Sequence, residues 1–315
     1  MTGSHKLLIA SDDGDRYREH IARAEPDLEI EVFREDHSAS HAFAREMDVF
    51  LAWKFPASLL ADARRLRWIQ STGAGVDHIA AAGPLSPGVV VTRTVDVFGP
   101  AMAEYVLGYM FVVTLRVAWV LAQQRERRWE PFAAPLLRGK TVVVVGLGNI
   151  GREVCRALRA AGLSVIGVSR SGGSAAEADE TVAVDRLDQA LPRADFLVLV
   201  VPLTDESRGL IDARRLGLLP SQSWLVNISR GAVVCEPGLV AVLREKRLAG
   251  AVLDVFEREP LPRESPLWSM DNVIVTPHIA GPDDVAVISE RFLDNYRRFK
   301  AGLPLEAVVD LERGY

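Results

Sequence analysis

The loop Gly146-Leu-Gly148-Asn-Ile-Gly151 limits what this chain can fold into more than any other feature, because it follows the apolar run Thr141-Val-Val-Val-Val145 directly and opens a helical pattern over 152–161. A G-x-G-x-x-G loop in isolation is weak evidence. In this context the three glycines allow a tight turn, close backbone approach to a pyrophosphate, and close packing of helix on strand, with the helix N-terminus favouring negative charge. Asn149 and Ile150 complete the loop and count with Gly146, Gly148 and Gly151 as candidate cofactor contacts. The alternative is a tight strand-to-helix turn without a ligand.

Around this loop the chain alternates short β-like runs with helical patterns, which favours parallel sheets with crossover helices. Strand candidates in the first hundred residues are 7–10, 49–53, 68–71 and 89–92. Six more follow at 140–145, 165–168, 196–201, 224–228, 251–254 and 273–276, enough for a complete dinucleotide-binding sheet. The expected class is therefore α/β with two domains, since 315 residues exceed the size of most single cores. The expected parts are a small α/β substrate domain at 1–99, a Rossmann-type doubly wound sheet at 100–282, and a helix from about 283 that returns to the first domain through 315. Pro84, Pro87 and Pro100 punctuate the first boundary.

Composition excludes several classes. A net charge of −5 without a basic stripe argues against nucleic acid as a partner. Two cysteines, Cys155 and Cys235, lack metal-ligand spacing and are too few for a disulfide framework, so no metal is expected and a reducing cytoplasm is the simplest location. The first residues lack the apolar core of a signal peptide. The apolar stretch 101–123 holds Glu104 and Arg116, is interrupted by Gly108, and reads as a buried helix, so no membrane partner is expected.

The second strand of a dinucleotide unit normally ends in an acid that receives the ribose hydroxyls of NAD. Here Ser169-Arg170-Ser171 stands instead. A guanidinium pairs with a 2′-phosphate that a carboxylate would repel, so Ser169 and Arg170 point to NADP(H) in preference to NAD(H). The alternative leaves Arg170 as a solvated loop residue.

Three later strand ends carry reactive groups: Arg230 after 224–228, the acids Glu257 and Glu259 after 251–254, and His278 after 273–276. Open α/β sheets bind ligands at that edge. A guanidinium grips and polarises a 2-keto acid, while an imidazole, titrating near neutrality, delivers the proton that must accompany hydride. A carboxylate beside the imidazole favours its charged form and fixes the ring. Taken singly, Arg230 reads as a surface ion-pair partner and His278 as a satisfied structural residue; the set at one edge is what points to chemistry.

Four ordered motifs, Gly146 to Gly151, Asn227-Ile-Ser-Arg230-Gly231, Leu253-Asp-Val-Phe-Glu-Arg-Glu259-Pro260 and Thr276-Pro-His278-Ile-Ala-Gly281, resemble the D-isomer-specific 2-hydroxyacid dehydrogenases over nearly the whole chain. Within that family the serine-arginine loop together with Glu264-Ser-Pro-Leu-Trp268 looks most like the glyoxylate and hydroxypyruvate reductases. The resemblance implies a flavodoxin-like substrate domain beside the Rossmann domain, Arg230 as carboxylate clamp, Glu259 rather than Glu257 as the acid against the ring, and His278 as proton donor. It implies cofactor contacts from Pro202, Thr204, Ile228, Ser229 and Gly281, and from Asp254 to the nicotinamide carboxamide. It also nominates Ala74 and Gly75 in the loop Ser71-Thr-Gly73-Ala74-Gly75 for the substrate carboxylate. Trp53, Lys54 and Trp268 are candidate pocket residues, although core is the usual fate of a tryptophan. A closing cleft with hinges near 98–100 and 280–282 is expected, as is a homodimer built through the apolar stretch 102–121. The expected activity is NADPH-dependent reduction of a small 2-keto acid. The alternatives are dehydrogenation of another D-2-hydroxy acid, or a nucleotide-sensing binding protein like the family's corepressor relatives.

Overall fold

The computed structural model describes residues 5–34, 38–53, 57–81, 83, 85–311 and 313. The chain divides into two compact units, Met1–Val97 with Asp283–Tyr315, and Phe98–Pro282.

The first unit is a five-stranded parallel sheet: β1 Lys6–Ala10, β2 Glu29–Val32, β3 Val49–Ala52, β4 Trp68–Ser71 and β5 Val90–Thr92, in the order β2-β1-β3-β4-β5. This is the flavodoxin-like order. Strands β3 and β4 are buried throughout and β1 nearly so; β1 and β3 read as apolar runs because both faces are covered, whereas β4 ends on the buried polar residues Gln70 and Ser71. Strand β2 is not among the strands expected from sequence. Its pattern Glu29-Ile-Glu-Val32 buries only Val32, and its charged positions suit a sheet edge that must not pair further. The helix Val285–Lys300 is capped by Asp284, whose carboxylate accepts the N–H groups of Ala286 and Val287. It stacks Phe292 on Trp68 with ring centres 5.0 Å apart, inside the core of this unit.

The second unit holds seven parallel strands rather than the six expected: β6 Thr141–Val145, β7 Ser164–Ser169, β8 Glu180–Ala183, β9 Phe196–Leu199, β10 Trp224–Asn227, β11 Gly250–Leu253 and β12 Val273–Val275. The order is β12-β11-β10-β9-β6-β7-β8, so the sheet winds both ways from a switch between β6 and β9. The added strand β8 is an edge, with no fully buried residue. Register across the sheet matters more than strand length: Val145 pairs with Leu199, Leu199 with Asn227, Asn227 with Leu253, and Leu253 with Val275. Five loops therefore leave the same edge at the same level.

The long apolar segment is two helices, Gly99–Thr114 and Val117–Arg125, bent by 53°. The break falls at Arg116, whose φ of 51° ends the first helix; Gly108 lies inside that helix and interrupts nothing. Arg116 places its guanidinium over the rings of Trp119 and Phe132, at 4.7 and 5.3 Å from their centres. The first helix buries one face, whereas the second has no buried residue, which corrects the expectation of a single buried helix. Among the described residues no single helix is long and apolar enough to cross a membrane, and only this bent pair reaches the length and composition together.

Candidate active site

The glycine loop is shaped by collisions that side chains would cause. Gly146 has φ +108°, and a Cβ there would run into the carbonyl of Val200 just after β9. A Cβ on Gly151 would strike the carbonyl of Gly146, so the helix Asn149–Ala160 approaches its own strand only without one. Gly148 differs: nothing lies within 4 Å of where its Cβ would be. That open cradle sits at the helix start, where the cap residue Gly148 has no side chain to cover the first N–H groups, and it fits a pyrophosphate.

At the end of β7, Ser169 Oγ accepts the N–H of Gly172 at 3.1 Å and closes the turn. Arg170 follows it, exposed, with its Nε 3.6 Å from Glu206 Oε2. Pro202 and Thr204 lie in the loop after β9, which is tied by Ser207, a residue that no sequence motif singles out. Its Oγ donates to the Pro202 carbonyl at 2.7 Å and accepts the Thr204 N–H at 2.8 Å.

The loop after β10 is organised by Asn227, which belongs to a motif but is not among the expected site residues. Its Oδ1 accepts from the Ser229 hydroxyl at 2.7 Å and the Ser229 N–H at 3.1 Å, while its Nδ2 donates to the Arg230 carbonyl at 3.1 Å. An Asn at a strand end commonly folds the following backbone in this way. Ile228 and Ser229 are buried. Arg230 is half-buried, and its Nη1 donates to the Ser229 carbonyl at 2.8 Å. The next residue, Gly231, packs against the backbone of Phe256 and Glu257 so closely that a Cβ would overlap both. Backbone contact thus brings the Arg230 loop against the loop that carries the acids.

In that second loop Glu259, not Glu257, faces the imidazole. Glu259 Oε2 lies 2.8 Å from His278 Nδ1, and Oε1 accepts the Phe256 N–H at 3.0 Å. About a third of each side chain is open, 35% for His278 and 34% for Glu259, so a substrate can reach the ring. Burial works to raise the Glu259 carboxyl, but the hydrogen bonds from His278 and the Phe256 N–H, with the charges of His278 and Arg230, outweigh it and hold the group below its ordinary value. Arg230, Glu259 and His278 therefore form one electrostatic cluster.

His278 sits at φ +55°, a conformation uncommon for residues other than glycine. Its N–H points to the carbonyls of Asp254 and Thr276, at 2.9 and 3.1 Å. The Asp254 carboxylate, buried, accepts the N–H of Ile279 at 2.8 Å and of Ala280 at 2.9 Å. Asp254 thus shapes the His278 loop whatever else it contacts. Gly281 leaves ordinary contact distance to Phe98 and Met102. Trp268 is 55% exposed and donates its indole N–H to the Pro262 carbonyl at 2.9 Å.

In the first unit the ring of Trp53 lies on Gly73, where any Cβ would overlap it. Trp53 itself falls just after β3 rather than inside it. The half-buried Ala74 and Gly75 follow Gly73, with the Ala74 carbonyl accepting from Arg93 Nη1 at 3.2 Å. Lys54 lies outside the described residues.

Residues 107–280 match the family described as D-isomer specific 2-hydroxyacid dehydrogenase, NAD binding domain. The chain belongs to the D-isomer specific 2-hydroxyacid dehydrogenases. It is an NAD(P)-dependent oxidoreductase of that family, with the two parallel sheets its members share. Glyoxylate reductase of Pyrococcus furiosus is 32% identical over 300 residues, 90% of this chain and 89% of that one. The solved NADPH-dependent glyoxylate/hydroxypyruvate reductase of Sinorhizobium meliloti, in complex with NADP and sulfate, is 33% identical with a TM-score of 0.90, covering 99% of this chain and 100% of that one. A D-isomer specific 2-hydroxyacid dehydrogenase from Xanthobacter autotrophicus Py2, in complex with NADPH and MES, is 34% identical with a TM-score of 0.88 and the same coverage.

Proposed function

We propose that this dehydrogenase reduces a small 2-keto acid of the glyoxylate or hydroxypyruvate type to the D-2-hydroxy acid with NADPH. The observation that carries the reading is the His278–Glu259 pair at 2.8 Å inside the charge field of Arg230. The dinucleotide, when bound, supplies the hydride. Arg230 donates to the substrate carboxylate and carbonyl, orienting and polarising the latter. With Nδ1–H committed to Glu259 Oε2, the other ring nitrogen of protonated His278 delivers its proton to the carbonyl oxygen as charge develops there. One C=O thus becomes CH–OH at the expense of one hydride and one proton. The Gly146 to Gly151 loop with Asn149 and Ile150 holds the pyrophosphate. Pro202, Thr204, Ile228, Ser229, Asp254 and Gly281 line the rest of the cofactor's course. In the first unit, we read Ala74 and Gly75, with Trp53 over Gly73, as an anion-binding turn. Trp268 is read as a pocket residue.

Preference for NADPH is supported by Ser169 and Arg170 at the end of β7, where an acid would receive NAD. Absorbance of NADPH and NADH followed with glyoxylate, hydroxypyruvate, pyruvate and a bulky 2-keto acid tests both parts. Equal or better efficiency with NADH removes the cofactor preference. Turnover of only the bulky acid favours another D-2-hydroxy acid, and turnover of none favours a nucleotide-sensing binding protein.

The protein is also proposed to be a homodimer. Phe111, Leu115, Val120 and Leu121 are exposed along the bent helix pair, and Trp129 beyond it is 95% exposed, apolar surface that a second copy of the chain would cover. Light scattering should give twice the 34.5 kDa chain mass, and a single-chain mass removes the proposal.

A further inference from the structure

One half-buried group of the second unit has no part in the chemistry above: the hydroxyl of Tyr105, on the helix Gly99–Thr114. It lies 2.6 Å from Thr276 Oγ1, which in turn lies 2.6 Å from Asp254 Oδ1. The direction of this chain follows from its end. A carboxylate only accepts, so the Thr276 hydroxyl donates to Asp254 and Tyr105 must donate to Thr276. Burial pushes the Tyr105 hydroxyl upward, so it keeps its proton through the working pH range. Asp254 Oδ1 receives Thr276 together with the Ile279 N–H, Oδ2 receives the Ala280 N–H, and the Asp254 carbonyl receives the His278 N–H.

We propose that Tyr105 and Thr276 are positioning residues for His278, a role that rests on the reading of His278 as proton donor. The chain anchors Asp254, and Asp254 grips the backbone of His278 and of the two residues after it. That grip holds the residue at φ +55° and keeps its ring on Glu259. A helix that ends at Thr114, well before the glycine loop, thereby sets the angle at which the proton leaves.

Three variants separate this role from simple packing. Thr276→Val keeps the shape and removes the hydroxyl; Thr276→Ser keeps the hydroxyl; Tyr105→Phe removes only the first donor. Misplacing a reacting group by an ångström costs on the order of 100-fold, so Thr276→Val should lower kcat by about 10- to 100-fold. Thr276→Ser should stay within about 3-fold, the hydroxyl being retained. Tyr105→Phe, losing one hydrogen bond, should lower kcat by about 3- to 10-fold. The Kd for NADPH, read by fluorescence, should move much less than kcat in all three. A second readout does not depend on turnover: the downfield proton resonance of the His278 Nδ1–H bonded to Glu259 should weaken in Thr276→Val and return in Thr276→Ser. If Thr276→Val and Tyr105→Phe fold, bind NADPH and turn over at the parent rate, the positioning role is wrong. If Thr276→Val does not fold, Tyr105→Phe and Thr276→Ser decide by the same criteria. His278→Ala in the same assay keeps the two ideas apart, since an active His278→Ala would sink the proton-donor reading itself.

Discussion

Glu257 and Glu259 differ by two positions and have different fates. Glu257 is exposed, whereas Glu259 is held between the Phe256 N–H and the His278 ring. The carboxylate of Glu259 stabilises the proton that His278 is proposed to deliver. Glu259→Gln should therefore move the alkaline limb of the pH–rate profile for reduction to lower pH, with a profile identical to the parent counting against the pairing. Because the Glu259 carboxyl is held below its ordinary value, its support for the ring is complete above the usual carboxylate range and is lost only as pH falls through that lowered value. His278→Ala should mainly lower kcat, by about 100-fold or more. Arg230→Ala should raise KM and lower kcat together, as expected for a group that binds and polarises. Reactive residues at this scale are legible from strand-end position and motif. Asn227, Ser207 and Thr276 do not stand out as site residues, because a short polar side chain in a loop looks the same in sequence whether it folds the loop or faces water.

Among the elements, the covered strands are legible, as are the apolar edges β5 and β12, whereas the edges β2 and β8 are not. β2 and β8 carry too few apolar residues to stand out as runs, since an edge strand is wetted on a side where a central strand is covered. The bend at Arg116 is equally hidden, because the apolar pattern continues across a break made by one φ angle. One element contact has a measurable consequence. Asp188, on the short helix Leu187–Ala190, binds Arg214 at 2.6 Å and Arg215 at 2.8 Å on the helix Ala213–Leu216. Those two hydrogen bonds bring its carboxyl down from 3.8 to about 2. A carboxyl lowered on folding stabilises above its unfolded value and loses that contribution as pH falls through the folded one. In Asp188→Asn the decline of Tm between about pH 4 and about pH 2 should be shallower than in the parent, and the difference should be modest because the pair is partly solvated. Parallel Tm curves for the two proteins would show that the contact contributes nothing to acid stability.

For the whole molecule, the two thiols report how the chain is closed. Cys155 is fully buried on the helix after the glycine loop, and burial, aided by the charge of Glu177, pushes its thiol up to about 12. Cys235 is partly exposed. A thiol reagent at neutral pH should modify one cysteine in the native protein and two in denaturant, with the second following the opening of the core. Rapid reaction of both in the native state would contradict this packing. By itself the sequence determined the α/β class, the order of the motifs and the glycines that admit a dinucleotide, because each of these depends on local periodicity and on steric demands within a few residues. Only the tertiary structure decided which backbone grips His278, and that Tyr105 reaches Thr276 across 171 positions of chain. Those choices depend on strand register and on the packing of a distant helix, and no local pattern encodes the angle at which two far-separated side chains meet.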